Sequence, residues 1–155
     1  MIDIHSHLLP EIDDGSESLS VSLQMAREAV AEGITHALMT PHHMNGQYMN
    51  HATDVIALTA EFQSELDKAK IPLTVFPSQE VRINGDLLSA LEAGDILSTD
   101  DRGTYILIEF PSDDVPSFTV DMLFQIQQRG LTPVIVHPER NTRLMKDPNL
   151  LYDMV

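Results

Sequence analysis

Short β-rich runs that alternate with amphipathic helical stretches predict an α/β domain built on a parallel sheet. Five such runs are each followed by a helix or helical piece, and parallel neighbours need crossovers of this kind. The runs starting at Thr35, Tyr105 and Pro133 are nearly all apolar, as expected of strands covered on both faces. The polar exceptions are His5, His7, His42, Glu80, Glu109 and His137, and each falls at or just past the C-terminal end of an expected strand. That edge is where ligands and chemistry sit in open α/β sheets and in barrels alike.

The opening residues Met1-Ile2-Asp3-Ile4-His5-Ser6-His7 alternate apolar and polar side chains, which predicts a strand with His5 and His7 on one side. A loop from Leu8 to Gly15 carries Glu11, Asp13 and Asp14. Leu19, Leu23, Ala26 and Val30 then recur at helical spacing, with Gly33 as the residue that stops the helix. Thr35 to Thr40 is the second strand, ending in Pro41-His42-His43, and Met44 to Asn50 is a loop with Asn45-Gly46 as its turn. Val55, Leu58, Phe62 and Leu66 mark a second helix, halted by Lys70 and Pro72. Leu73 to Val81 is the third strand, and a short helical piece covers Asp86 to Ala93. Tyr105 to Phe110 is the fourth strand, followed by a helix over Ser117 to Arg129 that Gly130 closes. Pro133 to Val136 is the fifth strand, leading into His137-Pro138-Glu139-Arg140, and Asn149 to Val155 starts a further helix. No repeat, low-complexity tract or linker divides the 155 residues, so residues 1–155 read as a single domain.

Composition removes several function classes. A net charge of −15 argues against a nucleic-acid or anionic-membrane surface, both of which need clustered Lys and Arg. With no cysteine, disulfides, thiolate metal sites and cysteine nucleophiles are excluded. No apolar run approaches the ~18 residues of a membrane span, and the N-terminus lacks a signal pattern. A cytoplasmic protein without stable membrane insertion is expected, and oligomerisation is compatible with the composition.

Strand-end histidines and glutamates, with Asp14 in the first loop, mix imidazole with hard carboxylate, a donor set suited to Zn, Mn or Fe. Glutamates can bridge ions, so a multinuclear site is expected. Such a cluster lowers the pKa of a bridging water and clamps phosphoryl oxygens during in-line displacement. Glu109 inside an apolar strand is read as a ligand, the alternative being a carboxylate paired with a buried lysine or arginine. His42 and His43 are adjacent on an extended segment, point opposite ways, and supply one ligand between them. His36 and His51 read as ordinary histidines, and Met44 and Met49 as packing or loop residues. Arg140, directly after the His137 turn, reads either as a phosphate-binding fork or as a surface residue.

Six ordered motifs carry a resemblance. They are the opening Met-Ile-Asp-Ile-His-Ser-His, Asp13-Asp14-Gly15, Thr40-Pro41-His42-His43, Gln79-Glu80-Val81-Arg82, Leu107-Ile108-Glu109-Phe110 and Pro133-Val134-Ile135-Val136-His137-Pro138-Glu139-Arg140. Together they resemble the polymerase-and-histidinol-phosphatase (PHP) superfamily, and within it the manganese-dependent tyrosine phosphatases of bacterial capsular and exopolysaccharide gene clusters. The resemblance implies a distorted (β/α)7 TIM-like barrel holding up to three manganese ions, with iron, zinc or magnesium as alternatives. It implies hydrolysis of phosphotyrosine by a metal-bridging hydroxide, on a tyrosine kinase that regulates polysaccharide synthesis. Carried onto this chain, His5 and His7 would hold one ion and Glu80 would bridge it to a second. Glu109 and His137 would belong chiefly to that second ion, Asp14 and His42 would hold the third, and Arg140 would contact phosphate.

The resembled barrel continues for roughly another third of its length and contributes a late Asp-x-His pair. This sequence has neither, so the expectation is a PHP-type domain truncated at its C-terminus, supplying about the first five β/α units and leaving two strand edges open. Two other functions fit the same residues. One is a PHP phosphatase acting on a small phosphomonoester such as histidinol phosphate; the other is a non-catalytic metal-binding remnant.

Overall fold

The computed structural model describes residues 1–100 and 102–155. Its strands are β1 (Ile2–Ser6), β2 (His36–Met39), β3 (His42–His43), β4 (Thr74–Pro77), β5 (Glu80–Arg82), β6 (Tyr105–Glu109) and β7 (Thr132–Val136). The helices are α1 (Leu19–Ala31), α2 (Ala52–Lys68), α3 (Leu87–Glu92), α4 (Thr119–Gln128), α5 (Thr142–Lys146) and α6 (Asn149–Tyr152). The expected second and third strands are each broken in two. One sheet has the order β1-β2-β4 and the other β3-β5-β6-β7, with every pairing parallel.

The breaks have a local cause. Pro41 has no N–H to give a ladder, and the chain bends there before resuming at His42. Its neighbour bends in step at Ser78 and Gln79. The Ser78 N–H donates to the Met39 carbonyl at 2.9 Å and the Glu80 N–H to the Pro41 carbonyl at 3.1 Å, so pairing passes through the bend. The two sheets are therefore five parallel runs with a shared crease. Among the described residues no barrel closes, and β1 and β7 end the series unpaired on their outer sides.

Helices cover one face. Ser18 caps α1 by accepting the Val21 N–H, and Gly33, at φ +90°, lets the chain leave the helix. Asp95 accepts the Ala52 N–H at the start of α2 from a distant loop, at 2.9 Å. Ala26, Val55, Phe62 and Leu66 of α1 and α2 pack on Ala37, Met39 and Val75. A second core joins Met122, Leu123 and Ile126 of α4 to Val81, Ile106 and Ile108. Apolar area removed from water contributes about 25 cal/mol per Å², so these two contacts hold the helices to the creased sheet. The opposite face is less covered: Ile2, Ile4 and Phe76 are exposed there. α5 and the 3₁₀ turn Pro138–Arg140 had no counterpart in the sequence expectation, since segments of three to five residues carry too little periodicity to register.

Candidate metal centre

At the C-terminal ends of the runs the chain brings its histidines around one carboxylate. Glu80, at the crease and 1% exposed, points Oε2 at His5 Nε2 (2.8 Å), His7 Nε2 (3.1 Å) and His42 Nδ1 (3.4 Å). Three imidazoles on one buried oxygen are more than a single acceptor can satisfy. Its other oxygen, Oε1, is buried with no hydrogen-bond partner among the described residues, and so is His42 Nδ1. Unmet buried polar atoms of this kind are costly unless something else bonds them.

Three groups of side chains have donor atoms within 4.8 Å of one another: His5, His7 and Glu80; His7, Asp14 and His42; and His42, Glu80 and Glu109. His7 and His42 are shared between groups, as is Glu80, and the mixed nitrogen and carboxylate donors fit transition-metal cations. Six of the seven expected ligands thus come together. The seventh, His137, stands beside them with its ring 4.8 Å from that of His5, while its Nδ1 pairs with Glu139 at 2.9 Å. Asp14 is the most open of the set and lies 3.2 Å from His42 Nε2.

Glu109 has an arginine partner and borders the cluster. It is gripped by Arg82, whose Nε and Nη2 donate to its two oxygens at 2.9 and 2.8 Å, and its Oε2 also lies 3.5 Å from His42 Nδ1. Register explains the fork: Arg82 and Glu109 are direct neighbours on parallel strands. Arg140 is exposed on the rim shared by the two cavities that border the site. His43 is fully buried behind the site and points towards Asp95, 3.7 Å away, so only His42 of the adjacent pair reaches the cluster. His36 packs against Phe76, and His51 pairs with Asp95.

Asp13 is a site residue that the sequence did not single out. Its carboxylate is almost wholly buried and accepts from His7 Nδ1 at 2.7 Å, from the His42 N–H at 3.1 Å and from the Gly15 N–H at 3.0 Å. A proton held on His7 Nδ1 leaves Nε2 facing the cluster, the arrangement by which a carboxylate orients a ligating imidazole. Gly15 makes the closure feasible: a Cβ there would lie 2.5 Å from both the Cβ and the carbonyl oxygen of His7. The Asp-Asp-Gly sequence following a His-x-His strand was the available signal.

Electrostatics follow the geometry. Burial disfavours charge on His7, and the hydrogen bonds it donates to the Asp13 and Glu80 carboxylates overcome this, raising its pKa to about 9. His42 is likewise opposed by burial and raised on balance by the Glu109 and Glu80 carboxylates. Burial would raise the Glu80 carboxyl, but the imidazoles of His5 and His7 hold it far below the ordinary range. Glu109, pushed up by burial, is lowered by His42 and Arg82.

Residues 1–155 match the sequence family described as capsular polysaccharide synthesis, CpsB/CapC. The tyrosine-protein phosphatase YwqE of Bacillus subtilis is 44% identical over 155 residues, which is 100% of this chain and 61% of that protein. CapC of Staphylococcus aureus is 31% identical over 155 residues, 100% of this chain and 60% of its own length. A chain from the crystal structures of YwqE and of CpsB from Streptococcus pneumoniae, described as metal-dependent tyrosine phosphatases, superposes with a TM-score of 0.94 at 44% identity, over 99% of this chain and 62% of that one. The chain therefore spans about three fifths of the length of the relatives it matches.

Proposed function

The chain belongs to the CpsB/CapC family of capsular polysaccharide synthesis, and on that premise we propose that it is the metal-binding part of a metal-dependent phosphatase acting on phosphotyrosine in proteins. The carrying observation is the Glu80 carboxylate, with three imidazole nitrogens around one oxygen and its other oxygen buried and unbonded. In this reading His5, His7, Asp14, His42, Glu80, Glu109 and His137 hold divalent cations, manganese first among them, and Arg140 contacts the phosphate. The five parallel runs form consecutive β/α units of a distorted seven-stranded PHP-type barrel, within a single domain. The protein substrate is a tyrosine kinase of polysaccharide synthesis, in keeping with the family's description.

Bound divalent ions would supply an activated water and neutralise charge on a phosphoryl group. The chain's own residues do the rest. Asp13 fixes which nitrogen of His7 faces the site, and Arg82 holds the Glu109 carboxylate in place. The Arg140 guanidinium, exposed on the rim, can take two phosphoryl oxygens as a fork and shed its long contact of 3.9 Å to Glu139. A phenolate, with pKa about 10, departs with less help from a general acid than an alkoxide requires.

The test combines manganese titration with hydrolysis of p-nitrophenyl phosphate and a phosphotyrosine peptide. Hydrolysis should vanish in EDTA, return with manganese, and be lost together with metal binding in Glu80→Gln. Turnover indifferent to chelation would sink the proposal. Manganese binding that Glu80→Gln abolishes, without turnover of either ester, would leave the metal site standing and remove the activity from this chain.

A further inference from the structure

The loop between β3 and α2 forms one wall of the metal centre, and it is tied down at several points. Asn45 Oδ1 accepts the N–H groups of Gln47 and Tyr48 at 3.0 and 2.7 Å. The Asn50 amide donates to the carbonyls of Ile12 and His42 at 3.0 and 2.8 Å, and Asn84 donates to the Met44 carbonyl at 3.1 Å. These bonds fix the backbone that carries the Tyr48 ring. Tyr48 lies nearly parallel to the His42 imidazole, at 12° with 6.2 Å between centroids, and its hydroxyl accepts from Gln47 Nε2 at 3.0 Å.

Tyr48 lines a polar cavity of about 290 Å³ together with Glu80, Glu109 and Arg140. Phe110, the other aromatic residue of that cavity, is buried, so Tyr48 offers the more accessible ring. An aryl phosphate carries its ring one oxygen away from phosphorus. With its phosphoryl group between the cluster and Arg140, such an ester carries its ring into the cavity whose wall includes Tyr48. An alkyl phosphate presents nothing comparable. Offset rings with centroids about 4.5–7 Å apart attract beyond their buried area.

We propose that Tyr48 is a specificity-determining contact that receives the aromatic ring of the substrate and so selects aryl over alkyl phosphate esters. This deepens the phosphatase reading and rests on it. A purely structural Tyr48 would instead shield His42 and affect every ligand of the centre alike.

The experiment measures binding of phenyl phosphate and methyl phosphate to the manganese-loaded chain by calorimetry, in wild type, Tyr48→Phe and Tyr48→Ala, with manganese affinity measured alongside. The expected preference of wild type for the phenyl ester is roughly tenfold, from the size of aromatic pair energies. Tyr48→Phe keeps that ratio because the ring remains. In Tyr48→Ala the ratio falls towards one while manganese still binds. An unchanged ratio in Tyr48→Ala overturns the proposal, and so does loss of manganese binding in that variant, which would assign the ring to supporting His42. If wild type binds both esters equally, Tyr48 loses its role and the phosphatase reading survives; if it binds neither, both fall.

Discussion

Replacing Asp13 with asparagine keeps the side-chain shape and removes the charge that orients His7. The carboxylate accepts three N–H groups, from Gly15, His42 and His7, at 3.0, 3.1 and 2.7 Å. An amide has a single acceptor oxygen. Turned towards His7 and His42, it sets its own NH₂ against the Gly15 N–H and loses the bond that closes the loop over His7. Losing the carboxylate that orients a ligating imidazole weakens metal binding by about 10–100-fold. The sign of the pH dependence follows from His7, whose pKa of about 9 lies above the ordinary value of 6.5. Below about 9 a metal must displace a proton from wild-type His7, whereas in Asp13→Asn that pKa falls and the competition eases. Part of the damage is therefore masked at low pH. Manganese calorimetry should show a wild-type to variant affinity ratio that grows between pH about 6.5 and about 8.5. Equal affinities at both pH values would refute the positioning role of Asp13.

Two further perturbations test the packing around the site. Gly15→Ala puts a Cβ 2.5 Å from the His7 Cβ and carbonyl oxygen, so the loop must move and carry Asp13 with it. Overpacking of this kind costs about 1–3 kcal/mol, read as a melting temperature lowered by several degrees together with weakened manganese binding. Gly85→Ala, with nothing within 4 Å of its added Cβ, serves as the control and should change neither. Leu66→Ala removes a fully buried side chain from the contact of α2 with the first sheet, and chemical denaturation should show a loss of about 2–5 kcal/mol.

The five runs, their parallel sense and the main helices were legible because hydrophobic patterns of period two and 3.6 are long enough to read. Strand breaks were not. Thr40-Pro41 and Ser78-Gln79 close apolar runs that the chain then resumes in polar residues, and only Pro41 and Pro77 hinted that pairing changes there. The pairing of Glu109 with Arg82 depends on register, which no single strand encodes. Asp13 became visible only once the loop had folded over His7, because its importance lies in which N–H groups converge on it.

One irregularity decides where the first two histidines go. On β2 the side chains of Ala37 and Met39 face the helices, so His36 and Leu38 face the other way. The pairing of β1 with β2 begins Ile2↔His36 and Asp3↔Ala37 but resumes at Ser6↔Met39. Two steps along β2 thus match three along β1, which is a bulge. In strict alternation the odd-numbered residues of β1 would share the helix-covered face with Ala37, and His5 and His7 would be buried away from Glu80. The extra residue reverses that parity. His5 and His7 then point with Leu38 across the crease towards Glu80 and His42. The far edge of the sheet solves the same problem differently. Val136 pairs with Glu109 and shares its face, so a regular continuation would turn His137 towards the helices. His137 instead takes a left-handed conformation at φ +46°, and its ring comes back to within 4.8 Å of His5. The site is thus assembled where β1 shifts register and where the chain leaves β7 through the left-handed turn at His137, a conformation held in place for function rather than for stability.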